Sequence, residues 1–168
     1  IFAELGAQTI SAGAIFLQGG SGGTFNSAVL QSDGNQTITV AAGGLHLIGG
    51  GGGLLDRQSV AAVVQGLDGL FTPGANQIIR VGGGGAITLQ GGSSSATNVG
   101  FDSNGYSLGS IAVIAGNGDT QLIEFTAPSG SISLTGGTVG SNNLALIGAR
   151  FGAHTIRGSN AANAPAIS

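Results

Sequence analysis

One phrase recurs four times along this chain: an apolar-polar-apolar triplet, one further residue, then Gly-Gly. The copies are Ile15-Phe16-Leu17-Gln18-Gly19-Gly20, Leu45-His46-Leu47-Ile48-Gly49-Gly50, Ile87-Thr88-Leu89-Gln90-Gly91-Gly92 and Ile132-Ser133-Leu134-Thr135-Gly136-Gly137. Alternation with a period of two is the pattern of a half-buried strand. Recurrence at this scale means that each unit has one apolar face which only its neighbour can cover, and this favours a stacked architecture.

Composition narrows the choice. Glycine supplies 35 of 168 residues with no every-third-residue period, and proline only 3, which excludes collagen. With 41% hydrophobic and 7% charged residues the chain is too apolar and too weakly charged for a disordered segment. Glycine every few residues also disfavours helix, at roughly 1 kcal/mol per position relative to alanine. The one glycine-poor helix candidate is Leu54 to Gln65. A net charge of −3 with no basic patch gives nucleic acid no electrostatic footing. No run of about 20 apolar residues predicts membrane insertion. Cysteine and methionine are absent, which suits exposure to oxidants outside the cell. The chain starts at Ile1, so it reads as a processed product or fragment from which an export signal has been removed.

Two further phrases accompany each Gly-Gly copy. One precedes it, as Gln8-Thr9-Ile10, Gln36-Thr37-Ile38-Thr39-Val40, Gln77-Ile78-Ile79-Arg80-Val81 and Gln121-Leu122-Ile123-Glu124-Phe125. A third follows, as Ala28-Val29-Leu30, Val60 to Val64, Val99-Gly100-Phe101 and Leu144 to Ile147, with an extra alternating segment at Ile111 to Gly116. Gly19, Gly49, Gly91 and Gly136 are spaced by 30, 42 and 45 residues, so the repeats are unequal, as in a solenoid with loops inserted on one side. The fixed order of the phrases predicts an all-β, Gly-rich parallel β-solenoid of about four irregular repeats. A single domain is expected over residues 1–156, followed by a tail or linker over 157–168. The alternative is a β-sandwich or jelly roll with strand exchange between subunits.

The two ends match each other. Ala3-Glu4-Leu5-Gly6-Ala7-Gln8-Thr9-Ile10 aligns without gaps against Ala149-Arg150-Phe151-Gly152-Ala153-His154-Thr155-Ile156. A chain whose tail restarts its head can continue into another copy, so Glu4, Leu5, Gln8, Ile10, Arg150, Phe151, His154 and Ile156 are candidate subunit-interface residues. His154, which stands where Gln8 stands, is expected to make a polar contact there. Asn26, Asn98 and Asn143 each fall seven residues after the first glycine of a Gly-Gly pair, and this spacing suggests a stacked amide ladder.

Little in the chain suggests catalysis. His46 sits opposite Leu45 and Leu47 in its triplet and is expected on the surface. The seven acids are scattered singly; Asp102 with Asp119, or Asp33 with Asp68, are the pairs a β-helix glycosidase would have to use, and Asp33-Gly34-Asn35 and Asn117-Gly118-Asp119 read more simply as turns. Residues 49–53 and 82–85 are glycine-rich, but a chain without lysine has no phosphate loop. No catalytic residue, metal site or cofactor is predicted.

The x-Ile-x-Leu-x-Gly-Gly phrase in a Gly/Asn/Thr-rich chain resembles the parallel β-helix segments of filamentous haemagglutinin-like adhesins. The resemblance implies a secreted or surface-displayed bacterial fibre or adhesin segment. The expected function is accordingly an extracellular structural subunit that polymerises head to tail, with itself as partner, as in a surface fibre, biofilm matrix or sheath. Two alternatives remain: an adhesin segment that binds glycan or a surface through its long loops, where Phe71, Phe101 and Tyr106 are candidate contacts, and a polysaccharide-acting β-helix enzyme.

Overall fold

The computed structural model describes residues 1–3, 6–21, 26–52, 60–66, 72–94, 110–139 and 143–168. Its strands fall into three five-stranded sheets that the chain visits in turn. Sheet A holds β1 (Phe2–Ala3), β4 (Ala28–Ser32), β8 (Ala61–Gln65), β12 (Ala112–Gly116) and β15 (Ala145–Ala149). Sheet B holds β2 (Gln8–Ala12), β5 (Gln36–Val40), β9 (Thr72–Val81), β13 (Gly118–Phe125) and β16 (Ala153–Gly158). Sheet C holds β3 (Ile15–Gln18), β6 (Leu45–Ile48), β10 (Ala86–Gln90), β14 (Ser131–Thr135) and β17 (Ala166–Ile167). A short pair, β7 (Gly51–Gly52) with β11 (Ser93–Ser94), extends the corner after sheet C.

Every pairing is parallel, and each strand stacks on the strand of the same sheet in the adjacent coil. The chain is therefore a parallel β-solenoid. The sandwich alternative fails on this point, because jelly rolls are built from antiparallel strands.

Because the coils stack in register, each inward position becomes a column. Ile10, Ile38, Ile79, Ile123 and Ile156 form one, and Ile15, Leu45, Ile87, Ile132 and Ile167 another. Leu30, Val63, Ile114 and Ile147 complete the third wall. The middle members are fully buried, Ile38, Ile79, Ile87, Ile114 and Ile123 all at 0% exposure. Like side chains at the strand spacing of about 4.8 Å interdigitate in one rotamer, and this selects the same residue type coil after coil.

The Gly-Gly phrase marks the corner where sheet C ends. A Cβ on Gly92 would overlap the carbonyl oxygen of Gly50 in the coil below, and one on Gly137 would overlap that of Gly92, so consecutive corners nest backbone on backbone. Between β9 and β10 the turn uses Gly83 and Gly84 at φ of 60° and 72°, a conformation that glycine enters without steric cost.

Four Gly-Gly phrases mark the first four coils, and a fifth coil follows without one. Ala112–Gly116, which looks surplus in the sequence, is the regular sheet A strand of the fourth coil, in register with β8 and β15. The segment Val99-Gly100-Phe101 lies outside the described residues. Of the helix candidate, Ala61–Gln65 is strand and residues 54–59 lie outside the described residues. Residues 157–168 belong to the coil. Arg157 and Gly158 finish β16, a 3-10 turn spans Ala161–Asn163, and β17 pairs with β14, with the N–H of Ser168 donating to the carbonyl of Ile132 at 3.0 Å. The sequence pattern breaks there because β17 supplies only one inward residue, Ile167, to the column of Ile132.

Candidate assembly interface at the two ends of the coil

The first residue of each sheet B phrase is a glutamine, and parallel register turns the four of them into a buried amide ladder. Gln8, Gln36, Gln77 and Gln121 occupy one inward column beside the isoleucine column, and none is more than 6% exposed. Nε2 of Gln36 donates to Oε1 of Gln8 at 2.9 Å, Nε2 of Gln77 to Oε1 of Gln36 at 2.8 Å, and Nε2 of Gln121 to Oε1 of Gln77 at 2.6 Å. The second amide proton reaches a sheet A carbonyl, from Gln8 to Gln31 at 3.1 Å, from Gln36 to Leu30 at 3.4 Å and from Gln77 to Ala115 at 3.1 Å. Burying an amide without partners costs several kcal/mol, and the ladder is how this core tolerates four.

Among the described residues, nothing closes over the two ends of the solenoid. The outermost strands, β1, β2 and β3 at one end and β15, β16 and β17 at the other, present main-chain groups along their outer edges. Their inward residues are only partly covered: Ile10, Ile15 and Leu17 at the first coil, and Ile147 and Ile156 at the last, pack on the core but are not closed over. Phe2 is 53% and Ile167 65% exposed. Solenoid and sheet edges are ordinarily blunted by charge or proline. Within these six strands the sole charged side chain is Arg157, and there is no proline.

The match between the chain's ends has a structural meaning. Ala3 shares its column with Ser32, Gln65, Gly116 and Ala149. Gln8 shares its column with His154, Thr9 with Thr155 and Ile10 with Ile156. Equivalent residues therefore sit at the same position on the first and last coils, one set facing out of each end. Arg150 holds its guanidinium 5.4 Å from the centre of the Phe151 ring, and its N–H donates to Gly116 at 3.0 Å. Glu4 and Leu5 lie outside the described residues.

The asparagines are placed differently from the glutamines. Asn26 and Asn143 each stand two residues before a sheet A strand, and their carbonyls accept the N–H of Gly20 at 2.9 Å and of Gly137 at 2.8 Å. These are corner bonds, made again by Ser110, which accepts from Gly92 at 2.8 Å. Their parent strands β4 and β15 are separated in sheet A by β8 and β12, so Asn26 and Asn143 do not stack on one another, and Asn98 lies outside the described residues. The ladder of this molecule is made of glutamine. Its signal was visible as the Gln that opens each of the four phrases.

The outer faces carry smaller polar groupings. His46 is half-buried and stacks on Phe16 with centroids 4.5 Å apart; its Nε2–H donates to the carbonyl of Gly43 at 2.7 Å and its Nδ1 accepts from the Thr88 hydroxyl at 2.6 Å. Glu124 is clasped by Arg80 at 3.3 Å and Arg157 at 2.9 Å. A shallow hollow of about 280 Å³ on sheet B is lined by Asn35, Thr37, Asn76, Ile78, Thr120 and Leu122, whose asparagines and Thr120 already bond one another. The Asp119 carboxylate accepts the N–H of Gly74 at 3.0 Å, a turn role, while Asp68 and Asp102 lie outside the described residues. Among the described residues no group of three or more His, Asp or Glu side chains converges. Comparison with protein-family models, curated proteins and solved structures returns no match to this chain.

Proposed function

We propose that this chain is a structural subunit that self-assembles head to tail into a filament, each copy adding five coils to a continuous solenoid. The observation that carries this reading is the register match between first and last coils, Ala3 with Ala149, Gln8 with His154 and Ile10 with Ile156, on two ends that no described residue caps. Stacking one copy on the next would pair the free edges of three sheets at once and cover the half-exposed ends of the isoleucine and leucine columns. Low charge removes most repulsion between copies. A secreted or surface-displayed fibre, sheath or matrix component is the setting that the adhesin-like repeat pattern and the absence of oxidisable cysteine and methionine favour. The test is deletion of residues 1–10, which removes β1, the first three residues of β2 and with them one of the matching ends. Intact chain is expected to form filaments by electron microscopy and the shortened chain to remain dispersed; dispersed particles from both would refute the polymer.

A further inference from the structure

Building on the head-to-tail reading, we propose that His154 is the coupling residue of the joint: its neutral imidazole replaces one glutamine and carries the buried amide ladder of one copy into the next. The ladder has a direction. Each Oε1 accepts from the glutamine one coil further along the chain, so Gln8 is supplied by Gln36, Gln36 by Gln77 and Gln77 by Gln121. Gln121 is 1% exposed, and its Oε1 has no hydrogen-bond donor among the described residues. The residue in register with it in the last coil is His154. At the opposite end Nε2 of Gln8 donates one bond, to Gln31, where Nε2 of Gln36 and of Gln77 each donate two. The acceptor it lacks is the one that a preceding coil supplies to its fellows.

Among the described residues, a single chain thus ends in an unfilled acceptor on Gln121 and a spare donor on Gln8. Stacking the first coil of one copy on the last coil of another places the imidazole between them. A neutral imidazole presents one N–H and one lone-pair nitrogen across a single carbon, as an amide presents N–H and C=O, so it can donate to Gln121 and accept from Gln8 of the next copy. An imidazolium has two donors and no acceptor, and would set N–H against N–H at Gln8. Assembly should therefore be stronger with the neutral ring than with the imidazolium.

Of the neighbouring charges, Glu4 aligns with Arg150 and would meet it across the joint, a pair that His154→Gln leaves in place, so that variant isolates the contribution of the imidazole. On β13, Asp119 accepts from Gly74 and Glu124 is held by Arg80 and Arg157. Arg157 lies on β16 itself and Arg150 in the turn before it, while β2, β15 and the 3-10 turn carry no ionisable side chain. Overall charge acts in the opposite sense. With a sequence pI of about 4.9, repulsion between copies fades near pH 5 and would by itself favour association there.

The experiment is sedimentation velocity with electron microscopy on the full chain and on His154→Gln and His154→Leu, at about pH 5 and about pH 8. His154 is exposed in the single subunit, so both variants should fold, as circular dichroism would verify. The critical concentration of the natural chain is expected to rise about tenfold from pH 8 to pH 5. His154→Gln should assemble equally at both, and His154→Leu poorly at both. Filaments with the same critical concentration in all three chains and at both pH values would overturn the His154 joint while leaving head-to-tail assembly standing. Absence of filaments from the natural chain and from His154→Gln at both pH values would overturn both.

Discussion

At the scale of single residues, the glutamine column is the clearest case of a polar group that the fold must satisfy. Gln77→Leu keeps the bulk but leaves Oε1 of Gln36 without its donor and Nε2 of Gln121 without its acceptor. Each orphaned buried group costs about 1–3 kcal/mol, so urea denaturation should show a loss of about 2–6 kcal/mol. The glycines divide sharply. Gly92→Ala drives a methyl into the Gly50 carbonyl and should prevent the corner from nesting, whereas a Cβ at Gly13 meets nothing within 4 Å. Gly13→Ala should leave stability unchanged or raise it by about 0.4–1 kcal/mol through the unfolded chain, as a thermal melt would read. The Gly-Gly corner could be seen in the sequence because backbone nesting at Gly49, Gly91, Gly92 and Gly137 leaves no room for a Cβ. The ladder was harder to read, since a glutamine at the head of a strand looks like any polar surface position until register places it inside.

At the scale of elements, the strands are interchangeable in kind but not in burial. Ile79→Ala, in the closed middle of its column at 0% exposure, should cost about 2–5 kcal/mol. The same change at Ile156, half-covered at the end of that column, should cost roughly 1 kcal/mol in the isolated subunit and weaken assembly far more. Unfolding midpoints measured below and above the assembly threshold separate the two effects. Sheets B and C were legible because each of their first four strands repeats a phrase with fixed polar and apolar places. Sheet A was legible only in part: the third phrase marks the strands at Ala28, Ala61 and Ala145, but these share only an Ala-led apolar run, and the fourth coil's copy at Ala112 lies far beyond the Gly-Gly pair that precedes it and looks surplus. The last strand, β17, contributes a two-residue pairing that no periodicity can reveal.

At the scale of the whole molecule, three sheets, their apolar columns and one amide column all run along the same axis and end at the same two faces. Those faces match in register because the chain returns at Ala149 to Ile156 to the phrase with which it opened. The matching ends were legible from eight aligned residues; that they stand on the same corner and strand of the first and last coils required the structure. The most direct test is electron cryo-microscopy of the assembled protein at neutral pH with helical reconstruction. The account predicts a single-chain filament with strands spaced by about 4.8 Å along the axis and a subunit rise of about 24 Å, five coils per copy, with Gln8 of one copy stacked over His154 of the next. Dispersed five-coil particles, or copies joined face to face through their outer sheets, would contradict it.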